Sequence, residues 1–314
     1  MKRVPSIGVV GATGAVGTIV RALLRERGYE NVRYFASSRS AGQELDGRLV
    51  EEATPEALSA GDVDVFLFSV GTSSSRELVP HAVRGGAVCL DKSAAFRLEE
   101  GIPLVVPEVN GERALEHQGI IAVPNCCAIP LTTVLKPIHD EAGLRRVRIA
   151  TYQSVSGAGA QAMERLRGEA PDSHDLRQDW TFDGEEFDEE EKLRAETRKI
   201  LELPELPVSA TCVRVPVMVG HMESVWIETE EPIESERARE LLGAAASVRL
   251  EDFPTPGKSA GQDEVLVGRI RPDRSAPDGN GLTLLLACDN LRKGAALNGI
   301  QTMEYLLARE ALAA

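Results

Sequence analysis

SIGVVGATGAVGTIVRALLRERGY, residues 6–29, runs from a short apolar segment through a glycine-rich turn into an amphipathic helix. Gly11, Gly14 and Gly17 are three apart, and Val16, Ile19, Val20, Leu23 and Leu24 mark one helical face. Glycine at the first two positions lets the backbone approach a pyrophosphate at the helix start, and at the third lets the helix pack closely on a sheet. The spacing alone is a weak signal. Its context, a strand immediately before and a helix immediately after, is what a dinucleotide-binding βα unit requires.

Outward from that unit, strand-like runs follow at VRYFAS (32–37), VDVFLFSV (63–70), AVCLD (87–91), LVVPEV (104–109) and IIAVP (120–124), with helical stretches such as SSRELVPHAVRG between some of them. Near-continuous apolar strands alternating with helices predict a doubly wound, Rossmann-like parallel sheet. The second strand ends in Ser37-Ser38-Arg39-Ser40 with no acidic residue to hold a ribose 2′-hydroxyl. A guanidinium flanked by hydroxyls suits a 2′-phosphate, so the cofactor reads as NADP. Beyond residue 143 the pattern changes to long alternating strands: RRVRIATYQSV, VSATCVRVPVMVGHMESVWIETE, EVLVGRIRPD and GLTLLLACDN. These predict an α+β domain with a mostly antiparallel sheet covered on one face. The expected division is 1–127 plus a returning C-terminal helix at 294–314 for the cofactor domain, and 128–293 for a catalytic, substrate-binding and dimerisation domain.

A length of 314 residues fits two such domains, and 43% apolar with 27% charged residues describes an ordinary soluble globular chain. The net charge of −14 argues against nucleic-acid and anionic-membrane partners. MKRVPSIGVVGATG enters a strand at once, without a signal-peptide core or a membrane-spanning run, so a cytoplasmic location is expected. Five scattered cysteines without a CxxC pair indicate neither a disulfide framework nor a metal site.

One cysteine pair stands out chemically. In IAVPNCCAIP (121–130) an apolar strand is broken by Pro124-Asn125, and Cys126 opens the helical segment that follows. Unpaired backbone N–H groups and the positive end of the helix dipole favour a thiolate there. Two small buried core residues are the competing reading. Arg214 and His221 lie seven residues apart in VRVPVMVGHMESV, along a strand or on either side of a bend at Gly220. An imidazole near such a thiol is the pattern of thiol catalysis.

GATGAVG, SSRSAG, DKSAAFR, LVVPEVN, PNCC, YQSVSGAG, EEEKLRAETRKIL, SATCVRVPVMVGH and DNLRKGAALN occur in this order along nearly the whole chain. Together they resemble the aspartate-β-semialdehyde dehydrogenase family, in its bacterial branch. The resemblance implies NADPH-dependent reduction of L-aspartyl-β-phosphate to the semialdehyde and phosphate, in the biosynthesis of lysine, threonine and methionine. It implies Cys126 as the nucleophile that forms an acyl-thioester, His221 as acid/base and Gln153 as the group orienting the acyl. For the substrate it implies Arg214 at the carboxylate, Glu189 at the ammonium, Arg97 and Lys192 at the phosphate, and Asn125 beside the nucleophile. For NADP it implies Gly11, Thr13, Gly14, Ala15, Val16, Ser37, Arg39, Ser40, Ser156, Gly157 and Asn290. A homodimer, or a tetramer, is the implied assembly. The chemistry agrees: an acyl phosphate with an amino-acid head needs cations at phosphate and carboxylate and an anion at the ammonium. On a helix Glu189 and Lys192 are i, i+3, although a run such as EEEKLRAETRK ordinarily makes a solvated face.

The chain departs from the family pattern at Cys127, where Ser or Thr is common, at Lys92, at Gly71-Thr72, and in a shortened stretch between Gly168 and Glu189 that lacks an Asn-Val-Ile-Pro segment. N-acetyl-glutamyl-phosphate reductase and malonyl-CoA reductase are the alternatives on the same fold; a catalytically silent binding paralogue is the alternative of another class. Glu189 favours a free amine over an amidated one, and retention of Cys126, Gln153, Arg214 and His221 together disfavours the silent paralogue.

Overall fold

The structure is a computed structural model describing residues 5–168 and 180–313. Two compact units divide the chain, Met1–Pro124 with Ala295–Ala314 and Asn125–Gly294. The shortened stretch after Gly168 falls largely outside the described residues.

The first unit is built on seven strands: β1 (Ile7–Val10), β2 (Val32–Ala36), β3 (Glu44–Leu45), β4 (Arg48–Glu52), β5 (Val65–Phe68), β6 (Val88–Asp91) and β7 (Ile120–Ala122). Their order is β3-β4-β2-β1-β5-β6-β7, parallel throughout except for the β3–β4 hairpin. From β4 onward this is the 3-2-1-4-5-6 order of a doubly wound dinucleotide-binding sheet. Helices α1 (Ala15–Glu26), α2 (Pro55–Leu58), α3 (Thr72–Arg84) and α4 (Pro107–Asn110) connect the strands, and β1 and β5 are buried along their whole length. The glycine turn works as a strand–helix junction. Gly11 has φ +83°, and a Cβ there would sit 2.4 Å from the Ser69 carbonyl oxygen. A Cβ on Gly17 would lie 2.1 Å from the Gly11 carbonyl oxygen, so its small size serves packing of α1 on the turn itself.

LVVPEV differs from its strand expectation. Leu104 makes an isolated parallel bridge to Ala122, and Pro107 begins α4. A proline has no N–H to give a ladder and suits the first helical position; Asn110 closes the turn, accepting from the Val106 N–H at 2.9 Å and donating to the Leu104 carbonyl at 3.0 Å. The C-terminal helix, Asn298–Ala313, packs against β5, β6 and α4.

The second unit contains α5 (Ala128–Ala142), β8 (Leu144–Gln153), α6 (Ala160–Gly168), α7 (Asp188–Leu201), β9 (Val208–Arg214), β10 (His221–Thr229), α8 (Ser235–Ala244), β11 (Val248–Leu250), α9 (Pro256–Ser259), β12 (Val265–Pro272) and β13 (Gly281–Cys288). The sheet runs β11-β12-β13-β10-β8-β9. Its four central strands pair antiparallel and its two edge pairings are parallel, so the expected mostly antiparallel sheet is mixed at its margins. Helices α5, α7 and α8 cover one face. The long stretch 208–230 breaks into β9 and β10 at a connection holding Pro216 and Gly220. Gly220 has φ +97°, and a Cβ there would come within 2.5 Å of the Pro256 carbonyl oxygen.

Candidate active site

Strand register places the site. In the parallel β8–β9 pair Gln153 stands opposite Arg214 and Thr151 opposite Cys212. In the antiparallel pairs of β10, Glu223 stands opposite Thr151 and Leu286, and His221 opposite Cys288. Alternation then puts His221 and Glu223 on the same sheet face as Thr151 and Gln153. Arg214 ends β9, Gln153 ends β8 and His221 begins β10, so three chemically distinct side chains gather at one end of the sheet.

The chain leaving β7 delivers the cysteines to that end. Cys126 and Cys127 form the turn before α5, whose first turn is closed by Ile129 N–H donating to the Asn125 carbonyl at 3.1 Å. The Asn125 side chain caps the turn, accepting from the Cys127 N–H at 2.7 Å. The two Sγ atoms and a ring nitrogen of His221 all lie within 4.8 Å of one another. His221 is fully buried. Its Nδ1 accepts the Ser154 backbone N–H at 3.0 Å and lies 3.1 Å from Ser154 Oγ, whereas Nε2 has no hydrogen-bond partner. With Nδ1 accepting from an amide, the proton of the neutral ring belongs on Nε2. A Cβ on Gly157 would lie 3.2 Å from that Nε2 and 3.0 Å from Arg214 Nη1, so glycine leaves the ring's reactive edge clear.

Helix α7 contributes carboxylates rather than a solvated face. Buried Glu189 accepts from Asn125 Nδ2 at 2.9 Å and from Gln153 Nε2 at 3.3 Å. Burial, and then the charge of Cys126, push its carboxyl above the ordinary value, opposed by Asn125, Lys192 and Gln153. Glu196, two helical turns on, accepts the Asn125 backbone N–H at 2.6 Å. Lys192 is partly exposed and pairs with Asp188 at 2.7 Å. Arg214 donates from Nη1 to the Ser154 carbonyl at 2.9 Å, and its guanidinium stacks 4.5 Å over Trp180. Asn290 knits the neighbourhood together: its Oδ1 accepts from Ser154 Oγ, Ser156 Oγ and the Gly220 N–H, and its Nδ2 donates to Ser156 Oγ.

Cys126, Gln153, Glu189, Arg214 and His221, with Asn125, Ser156, Gly157, Lys192 and Asn290, therefore all belong to the second unit. Arg97 belongs to the first, where its guanidinium donates to the carbonyls of Val123 at 3.0 Å and Lys92 at 2.6 Å. Also in the first unit, Gly14 caps α1 without a side-chain cap bond. Thr13, Ser37 and Arg39 are exposed there, with Ala15 and Ser40 half-buried and Val16 packed inward. These residues fit a dinucleotide with a 2′-phosphate.

Three site groups escaped the sequence reading. Ser154 and Glu196 act through contacts far apart in sequence and carried no local signal. Glu223, fully buried, did carry one: it is two residues from His221, hence on the same strand face.

Known proteins resemble this chain over nearly its whole length. Residues 6–117 match the family "Semialdehyde dehydrogenase, NAD binding domain", and residues 135–183 and 178–293 match "Semialdehyde dehydrogenase, dimerisation domain". A curated relative from Mycolicibacterium smegmatis, an aspartate-semialdehyde dehydrogenase, is 44% identical, covering 96% of this chain and 99% of its own. One from Aquifex aeolicus, of the same name, is 41% identical with 98% of each chain covered. Among solved structures, aspartate semialdehyde dehydrogenase II of Vibrio cholerae, complexed with ASA, superposes with TM-score 0.91 at 37% identity over 98% of this chain and 99% of that one. The Candida albicans enzyme with NADP superposes with TM-score 0.79 at 26% identity, covering 98% of this chain and 99% of that one.

Proposed function

The chain belongs to the aspartate-semialdehyde dehydrogenase family, and from that premise we propose that Cys126 is its nucleophile, served by His221, Gln153, Arg214 and Glu189. The enzyme is an NADP-dependent oxidoreductase that reduces L-aspartyl-β-phosphate to L-aspartate β-semialdehyde and phosphate. The observation that supports the site assignment above all is the placement of the Cys126 thiol and the buried His221 ring nitrogen within 4.8 Å of one another.

The Cys126 thiolate attacks the β-carbonyl carbon, forming the C–S bond; collapse breaks the bond to the phosphate oxygen and leaves a thioester. Bound NADPH supplies the hydride that reduces that thioester. His221, with its proton on Nε2, donates to the oxygen that gains charge and takes a proton back as the C–S bond breaks, releasing aldehyde and thiolate. Gln153 and Asn125 offer amide donors beside the acyl group. Arg214 holds the substrate carboxylate, its forked donors matched to two oxygens. Glu189 meets the ammonium group, which no amidated amino acid would offer. Lys192 binds the phosphate, a role that the family resemblance also gives to Arg97.

The protein acts on small molecules, and the dimerisation-domain match supports assembly with a second copy; we take the unit to be a homodimer. Among the described residues no helix is long and apolar enough to cross a membrane, and a cytoplasmic site of action accords with the pathway. Phosphate-dependent reduction of NADP⁺ with aspartate semialdehyde tests the whole reading. Activity with N-acetyl-glutamate semialdehyde in its place would overturn the substrate assignment.

A further inference from the structure

The turn that leads into α7 sets an indole against the arginine at the end of β9. Trp180 and Phe187 have ring centroids 5.9 Å apart, and Phe182 and Phe187 centroids 5.3 Å apart. Paired bonds close this turn on the helix: the Thr181 N–H donates to Asp188 Oδ1 at 3.1 Å, and the Asp188 N–H donates to the Thr181 carbonyl at 2.9 Å. The start of α7 is tied in its turn to the sheet. Glu190 accepts from the Phe187 N–H at 2.8 Å with one carboxyl oxygen and from the Cys212 N–H at 2.8 Å with the other, and Cys212 lies two residues before Arg214 on β9. The half-buried indole is thus anchored through Phe187 and α7, with its ring centroid 4.5 Å from Arg214 Cζ. Trp180 belongs to the stretch between Gly168 and Glu189 in which the chain departs from the family pattern.

Resting on Arg214 as the carboxylate-binding group, we propose that Trp180 is a positioning residue that fixes the plane of its guanidinium, and so strengthens selection for the carboxylate end of the semialdehyde. A guanidinium donates within its own plane and is attracted through its face to an aromatic ring. Trp180 takes the face, while the Ser154 carbonyl accepts in the plane from Nη1 at 2.9 Å. The stack sets the tilt of the plane and the bond sets its rotation. An arginine already held in this way loses little side-chain freedom when a carboxylate arrives, so the gain appears in substrate binding. Trp180 acts through Arg214 and has no part in the steps at Cys126.

The test is initial-rate kinetics of the full-length enzyme, run as phosphate-dependent NADP⁺ reduction, for Trp180→Ala, Trp180→Leu and Trp180→Phe. Trp180→Ala should raise KM for aspartate semialdehyde by about three- to thirtyfold, the range spanned by a cation–π contact from an exposed to a desolvated site. Its kcat and its KM for phosphate should move by less than about twofold. Trp180→Leu, which keeps apolar bulk without a π face, should match Trp180→Ala, whereas Trp180→Phe should recover most of the loss. Leu and Phe together keep the test decisive if Trp180→Ala fails to fold. In an Arg214→Ala background, Trp180→Ala should have no further effect on KM for the semialdehyde.

Recovery by leucine as full as that by phenylalanine would reduce the indole to packing. A fall in kcat joined to a rise in both KM values would mark a disturbed α7, on which Lys192 also lies. Either result overturns the proposal. If Arg214→Ala raises KM for the semialdehyde and Trp180→Ala does not, the positioning role alone fails; if Arg214→Ala leaves that KM unchanged, the carboxylate assignment fails and the positioning role with it.

Discussion

Cys126 and Glu223 show how far burial alone decides the chemistry of a residue. Of the five free cysteines, four are buried and Cys126 is half-exposed at the turn before α5. Burial holds the Cys212 thiol up at about 12, far from reactive. Replacing Cys126 by Ala should lower turnover by at least about a thousandfold while NADP⁺ binding, followed by fluorescence titration, persists. Retained turnover in that variant would move the nucleophile elsewhere. Glu223 gives a stability prediction. Its carboxyl is raised above the unfolded value of 4.5, so between the two values the folded chain binds one proton more than the unfolded chain. The stability it contributes is complete below the unfolded value and is lost as pH rises through the raised one. Glu223→Gln removes that titration. Its melting temperature relative to the unmodified enzyme should therefore climb as pH rises above the unfolded value of 4.5; a pH-independent difference would show that the carboxyl does not titrate as a buried group.

At the scale of elements, α7 and the loop after β2 each carry a cation proposed to bind an anionic group of substrate or cofactor. Helix α7 turns Glu189 and Glu196 toward Asn125 and keeps Lys192 partly exposed beside Asp188. A charge-assisted contact to bound phosphate contributes about 1.5 to 3 kcal/mol, about ten- to a hundredfold in affinity. Lys192→Ala should raise KM for phosphate by that factor and leave KM for the semialdehyde nearly unchanged, and Arg214→Ala should do the reverse. Substrate-saturation curves for the two variants decide it, and unchanged phosphate saturation in Lys192→Ala removes that residue from the anion site. After β2, exposed Arg39 among serines is expected to meet the 2′-phosphate. Arg39→Ala should narrow the preference for NADP⁺ over NAD⁺ by about tenfold, chiefly through KM, in initial-rate measurements with each cofactor. An unaltered preference would place the 2′-phosphate elsewhere.

For the molecule as a whole, the second unit carries the dimerisation-domain match, and its sheet exposes an apolar pair away from the helices. Tyr152 and Val213 are register partners and both are exposed, and a homodimer formed across this face would bury them. Light scattering should give the mass of two chains, and Val213→Asp should shift it toward one. A monomer in the unmodified protein would overturn the assembly.

Local chemistry was enough to reveal the strand, glycine turn and α1, because the apolar period and the Gly11 and Gly17 constraints lie within one short segment. The motif order likewise pointed to Cys126, Gln153, Glu189, Arg214 and His221, all of which fall in the second unit. The Asp46-Gly47 hairpin turn was also readable and went unread; both residues have positive φ, 51° and 73°, as such a turn requires. Only the tertiary structure decided that Pro107 starts a helix, that Glu189 is buried against Asn125 rather than solvated, and that Glu223 lies unpaired beside the cysteines. The reason is range. Periodicity says which face of a strand or helix points inward, but whether an inward polar group finds a partner depends on strands and helices dozens of residues away, and only register across β8, β9 and β10 sets which groups meet.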